Sequence, residues 1–195
     1  MMKAEHQLIW QHAKPYLNTR SNDTHTLYCY YFAQQLTAVH PEANVNIVLP
    51  AILLHDVGWS TVPADKQLQS FGPHMRYPDL RRRHETEGAR IAGDILTALD
   101  YTPAHIREIT AIIDGHDTRI EALSLSDALV KDADKLWRYT PFGLETVRGW
   151  FGYSTAEQMV LLEKWLAYRF FTETADHMAR GLLALLHLNH NDFGK

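Results

Sequence analysis

Apolar residues recur along this chain at intervals of three and four, the spacing that lines one face of a helix, from residue 4 almost to residue 188. No stretch alternates well enough to predict a strand or hairpin, and no internal repeat or low-complexity segment interrupts the pattern. Leu8, Ile9, Trp10, Ala13 and Leu17 predict a short amphipathic helix within residues 4–17, ending near Pro15. The capping cluster Ser21, Asn22 and Asp23 opens a second, whose apolar positions Leu27, Tyr28, Tyr31, Phe32, Leu36 and Val39 run up to Pro41. That register puts His25 in the first helical turn. A third helix opens at Asn44 or Asn46 and carries Ile47, Val48, Ala51, Ile52 and Leu54 to His55-Asp56-Val57-Gly58. Pro50 within it predicts a late start or a kink, and Gly58 a left-handed stop.

Residues 59–79 change character, with Pro63, Gly72, Pro73 and Pro78 beside two exposed-looking aromatics, Phe71 and Tyr77, and predict a long functional loop or lid. Helical spacing returns over residues 80–99, carrying Arg81, Arg82, Arg83, His84, Glu85 and Glu87 at its start. The next helix begins at Pro103 and leads through Ile106, Ile109, Ile112 and Ile113 to Gly115-His116-Asp117. Ser124 or Ser126 caps another, through Leu129, Val130, Ala133, Leu136 and Trp137, with Asp134 embedded in it. After a break at Pro141 and Gly143, residues 155–188 predict one or two long helices. The expected fold is all-α, a bundle of about seven or eight helices.

A chain of 195 residues, 46% hydrophobic, holds one substantial core, so a single domain over residues 1–195 is expected. Its net charge of -4 gives no strong nucleic-acid signal. No apolar run approaches a bilayer span, and the first eleven residues lack the core of a signal peptide, so a soluble, cytoplasmic protein is expected. Cys29, the one cysteine, lies in an apolar run and reads as a buried structural thiol rather than a nucleophile. The twelve histidines change the picture through their positions.

His25, His55-Asp56, His84, His116 and Asp134 stand at or near helix ends or starts, each on a different predicted segment. An adjacent imidazole and carboxylate at the end of a buried helix are costly to desolvate without a cation between them. Histidine and carboxylate donors suit divalent metals, whereas a structural zinc finger would use cysteines. Asp117 reads as a neighbour in an outer position. His6, His12, His40, His74, His105, His177, His187 and His190 read as surface or core residues, with His74 in the expected lid.

This order resembles the HD superfamily of metal-dependent phosphohydrolases, with a histidine, a later histidine-aspartate pair and a final aspartate. The matching residues are His25 within Asn22-Asp23-Thr24-His25, His55-Asp56 followed by Val57-Gly58, and Asp134 within Lys131-Asp132-Ala133-Asp134-Lys135-Leu136. The resemblance covers a motif-bearing core of residues 22–138 and implies an HD-domain bundle, with C-terminal helices over residues 154–188 packing on it. His84 and His116 look like the extra ligands of dinuclear members. Carried over, one metal would take His25, His55, Asp56 and Asp134, and a second Asp56, His84 and His116, with Asp56 bridging. The resemblance implies one or two divalent ions (Fe, Mn, Zn, Co, Ni or Mg) and a metal-bound hydroxide that attacks a phosphoester or phosphoanhydride.

For such chemistry Asp56 and Lys131 are the candidate catalytic groups. Arg81, Arg83, Lys131 and Arg138 are the candidate contacts to a small phosphorylated substrate, a nucleotide among them. Lys131 and Arg138 lie one turn before and after Asp134, so both can share its face. Glu85 and Glu87 read as exposed first-turn acids, and Asp132 as pointing away from Asp134. Trp59 stands where cyclic-dinucleotide phosphodiesterases of the HD-GYP type carry a lysine, and their Gly-Tyr-Pro signature is absent, which leaves the small stand-alone hydrolases. Two alternatives stand beside this reading. One is a mixed-valent diiron oxygenase resembling myo-inositol oxygenase or a phosphonate-cleaving oxygenase, and the other is a non-catalytic, metal-containing ligand-binding domain.

Overall fold

Helix α3, Val45–Leu54, is apolar on every side and buried throughout residues 47–54, so its neighbours assemble around it. The computed structural model describes residues 2–167 and 170–192, with side chains through residue 189, so the side chain of His190 lies outside the described residues. In order these form α1 (Ala4–Ala13), α2 (Asn22–Val39), α3, α4 (Ala64–Gln67), α5 (Pro78–Ala98), α6 (Pro103–Ile113), α7 (Leu125–Leu136), α8 (Pro141–Phe151), α9 (Thr155–Leu166) and α10 (Glu173–Asp192). Three 3₁₀ turns, Lys14–Tyr16, Val57–Thr61 and Trp137–Tyr139, join them. Helices α1, α2, α6 and α7 pack on α3, α5 packs on α6, and α10 packs on α7 and α9. Strands are absent among the described residues, and no helix there is long and apolar enough to cross a membrane.

The ten helices exceed the expected seven or eight for two identifiable reasons. Pro141 does not break the chain but starts α8, where its missing N–H costs nothing, and Thr140 caps that helix by accepting from the Gly143 N–H at 3.0 Å. Residues 64–67 of the expected loop form the single turn α4. Asn44 caps α3 by accepting from the Asn46 N–H at 3.0 Å, and Ser124 caps α7. Pro50 is accommodated inside α3. Phe71 is half-buried rather than exposed, because Trp59 and the α8 aromatics Trp150 and Phe151 wall it in with ring centroids 5.5–5.8 Å away.

Gly58 does not stop α3 in a left-handed conformation, since its φ is not positive and α3 passes directly into the 3₁₀ turn. Its role is close approach. A Cβ at Gly58 would lie 1.8 Å from the His84 carbonyl oxygen and 2.5 Å from the Gly88 nitrogen. Backbone contact here sets how closely α5 approaches the segment after α3, and so how near His84 comes to His55 and Asp56.

Buried charged side chains hold the loops. Lys131 on α7 is 2% exposed, and its ammonium donates to the carbonyls of Gly115, His116 and Arg119 at 2.8, 2.9 and 3.1 Å. Glu85, expected as an exposed acid, is buried and accepts from the Asp117 and Thr118 N–H groups, both at 2.8 Å. Between them these two side chains hold the turn that presents His116. Asp132 faces away from Asp134 and accepts from the N–H groups of Phe171 and Thr172 just before α10.

Two stability predictions follow from these contacts. Gly58→Ala should destabilise the protein by about 3 kcal/mol or more in urea denaturation, because backbone atoms cannot move aside as a flexible side chain can. Lys131→Met should cost about 2–4 kcal/mol in the same measurement, by removing the charged donor from three carbonyls, of which that of Gly115 keeps the Arg119 N–H.

Candidate metal centre

Five elements deliver six side chains to one end of the bundle. His25 comes from the first turn of α2, His55 and Asp56 from the exit of α3, and His84 from the interior of α5. His116 follows α6, just beyond Gly115, whose φ of 117° reverses the chain, and Asp134 comes from α7. All six are buried.

Backbone carbonyls determine which way two of the imidazoles present their lone pairs. His55 Nδ1 lies 2.7 Å from the Ile52 carbonyl and His116 Nδ1 lies 2.9 Å from that of Ile113. A carbonyl only accepts, so each Nδ1 carries the proton and each Nε2 turns inward. His25 Nε2 lies 3.1 Å from His55 Nε2, and 3.4 Å from both Asp56 Oδ2 and Asp134 Oδ1. His55 Nε2 is 3.6 Å from the same two oxygens. On the other side, His116 Nε2 lies 3.4 Å from His84 Nε2 and 3.5 Å from Asp56 Oδ1, and His84 Nε2 lies 3.9 Å from that oxygen. Ligands about 2.1 Å from one ion stand about 3.0–3.4 Å apart. The first set is close to that spacing and the second slightly wider.

The electrostatics call for positive charge. Burial works against the Asp134 carboxylate, yet the Arg138 guanidinium, His55 and His25 hold its pKa far below the usual range. Burial also opposes charge on His116, but its hydrogen bond to Asp56 and the charges of Asp117 and Asp56 outweigh this and raise it to about 9. Burial, reinforced by the charge on His116, lowers His84 to about 4, leaving it a neutral donor. Nitrogen and carboxylate donors that converge in this way fit a divalent metal. Cys29 lies behind His25, with Sγ 3.5 Å from Nδ1, and burial together with Asp134 and Asp56 pushes its thiol well up, so it stays protonated.

The expected substrate contacts divide. Arg138 lines the metal pocket and donates to the Asp134 carbonyl at 2.8 Å. Arg81 is paired with Asp117, its Nε 3.1 Å from Oδ2 and its Nη2 2.8 Å from the carbonyl, beside a neighbouring cleft of about 390 Å³. Arg83 is exposed and lines neither space, because consecutive helical residues diverge by about 100°. Lys131 corrects the expectation of a catalytic or substrate-binding group: its three donors are used on three carbonyls. Two residues were missed. Trp59 donates its indole N–H to Asp56 Oδ1 at 3.1 Å and stacks on His84 with centroids 4.0 Å apart. Arg20 lines the same pocket from just before α2, and its only signal in the sequence is a basic residue beside a capping cluster.

The HD domain family matches residues 22–138, which include all six converging side chains. The crystal structure of a predicted HD superfamily hydrolase from an uncultured Thermotogales bacterium is similar in fold, with a TM-score of 0.64 at 19% identity over 96% of this chain and 90% of that one. No curated protein matches the sequence. A family match over more than half the chain, on an all-α bundle whose converging histidines and aspartates follow that family's order, makes this protein a member of the HD domain family.

Proposed function

We propose that this HD-family protein is a metal-dependent phosphohydrolase acting on a small phosphoester or phosphoanhydride, nucleotides included. The observation that carries the reading is the division of Asp56. Its Oδ2 lies 3.4 Å from His25 Nε2, while its Oδ1 lies 3.5 Å from His116 Nε2. His25, His55, Asp56 and Asp134 would hold one divalent ion, and Asp56, His84 and His116 a second, with Asp56 shared. Such ions, when bound, would supply acidified water and charge stabilisation at a phosphoryl oxygen.

The chain's own groups set the geometry. The Ile52 and Ile113 carbonyls fix the inward lone pairs of His55 and His116, and the Trp59 indole N–H orients the Asp56 carboxylate. Arg138, beside Asp134, adds a cation at the rim for an anionic substrate. Trp59, Trp137 and Trp150 line the pocket and restrict water around the reacting group. A second reading, a diiron oxygenase, is favoured by the nitrogen-rich set of four histidines and two aspartates, which suits iron.

Elemental analysis of protein purified without chelator, with a panel of phosphoesters, separates the two. The hydrolase reading expects phosphate release. Two irons, a mixed-valence paramagnetic signal and no phosphate release would overturn it. His55→Ala and Asp56→Ala should abolish metal at the first site, whereas His84→Ala and His116→Ala should each retain one ion and lose the other. Full metal content in both of the latter variants would refute the dinuclear assignment.

A further inference from the structure

Arg20 sits in an arrangement that no role in the fold accounts for. It and Ser21 both adopt the left-handed backbone region, with φ of 50° and 58°, which side-chain-bearing residues rarely do in succession. The strained turn sends the Arg20 side chain into the wall of the metal pocket. There its guanidinium carbon lies 4.7 Å from the Trp59 ring centroid, 5.0 Å from Phe71 and 5.3 Å from Trp150. Three aromatic faces hold the cation in place while giving its N–H groups nothing to bond.

Among the described residues, one edge of the guanidinium is anchored. Arg20 Nε donates to Gln67 Oε1 at 2.6 Å. The orientation of that amide is fixed in turn, because Gln67 Nε2 donates to the carbonyls of Trp59 and Val62 at 3.1 and 3.0 Å. Arg20 Nη2 is buried without a hydrogen-bond partner among the described residues. Such a nitrogen is expensive to leave unpaired. Burial lowers the Arg20 pKa to about 10, so the group stays charged at neutral pH. The neighbouring carboxylates are already engaged, Asp117 by Arg81 and Asp56 by Trp59 and the histidines.

A cation braced on one edge, boxed on its faces and unpaired at its end is organised to receive an anion from the pocket. The pocket is small, with a volume of about 40 Å³, and carries a second guanidinium, Arg138. It suits a compact, highly charged group. With the guanidinium already set among Trp59, Phe71 and Trp150, a pocket of this volume leaves little space for a second ester substituent beside Arg20.

We propose that Arg20 is the substrate-specificity residue of this site, receiving the terminal phosphoryl oxygens of a small phosphomonoester and favouring it over a phosphodiester. This rests on the phosphohydrolase reading for the reaction, and on Arg20's own surroundings for the binding.

Inorganic phosphate is the probe, titrated into metal-containing protein by calorimetry and by tryptophan fluorescence, to which the pocket residues Trp59, Trp137 and Trp150 contribute. Arg20→Met should weaken phosphate at least tenfold with metal content unchanged, and raise KM for a monoester by a similar factor with a smaller change in kcat. Arg20→Lys should recover part of the loss, since it keeps the charge but not the planar fork. The monoester-to-diester ratio of kcat/KM should fall in Arg20→Met. Unchanged phosphate affinity in a folded, metal-containing Arg20→Met variant overturns the proposal. Should that variant not fold, wild-type crystals soaked in tungstate decide: an oxyanion bonded to Arg20 supports it, and one bound with Arg20 unengaged overturns it. Arg20-dependent phosphate binding in a protein that hydrolyses no phosphoester would uphold the binding role and reject the hydrolase reading alone.

Discussion

Two imidazole nitrogens, His25 Nε2 and His55 Nε2, face each other 3.1 Å apart with the carboxylates of Asp56 and Asp134 beside them, all withdrawn from water. Without positive charge between them this arrangement repels itself. Packing overrides the repulsion from several directions, since the apolar body of α3 is buried on all sides and its end must emerge where His55 and Asp56 stand. The Ile52 carbonyl then holds the His55 ring in one tautomer. The fold thus places electron-rich groups where a cation relieves the cost of their burial.

The remaining donors depend on contacts that have no catalytic character. His84 reaches the cluster because Gly58, without a side chain, lets backbone approach the backbone of His84 and Gly88. His116 reaches it because Lys131 and Glu85 grip the turn after α6 from opposite chemical directions, one donating to carbonyls and the other accepting from N–H groups. These are buried charges whose hydrogen-bonding capacity is met, that of Lys131 by carbonyls and that of Glu85 by N–H groups, the Thr118 hydroxyl and Arg82, which is how such groups become tolerable in a low-dielectric interior. Trp59 joins the two halves, since one face of its indole covers His84 while its N–H holds Asp56.

The walls around the cluster are unequal. One side is aromatic and carries Arg20 among Trp59, Phe71 and Trp150. The other opens toward a larger cleft with Arg81, Lys135, Arg138 and Phe171 along its lining. His116, Asp117, Asp134 and Arg138 border both spaces, so the two are continuous along one wall.

The sequence alone determined the helical class, most of the helices and the order of the six metal-ligand candidates. Helical periodicity is a local property, and His25, His55, Asp56, His84, His116 and Asp134 stand at positions that local signals mark: caps, prolines, glycines and ends of apolar runs. It also placed Asp132 facing away from Asp134, by the rotation of the helix alone. Tertiary structure decided the roles of Lys131, Glu85, Gly58 and Arg20. Lys131 bonds to carbonyls up to 16 residues earlier, Glu85 to N–H groups 32 and 33 residues later, and Arg20 to a side chain 47 residues away. No periodicity encodes such pairings. A lysine one turn from a candidate ligand looks the same in sequence whether it faces a substrate or a ring of carbonyls, and only the path of the distant loop settles which.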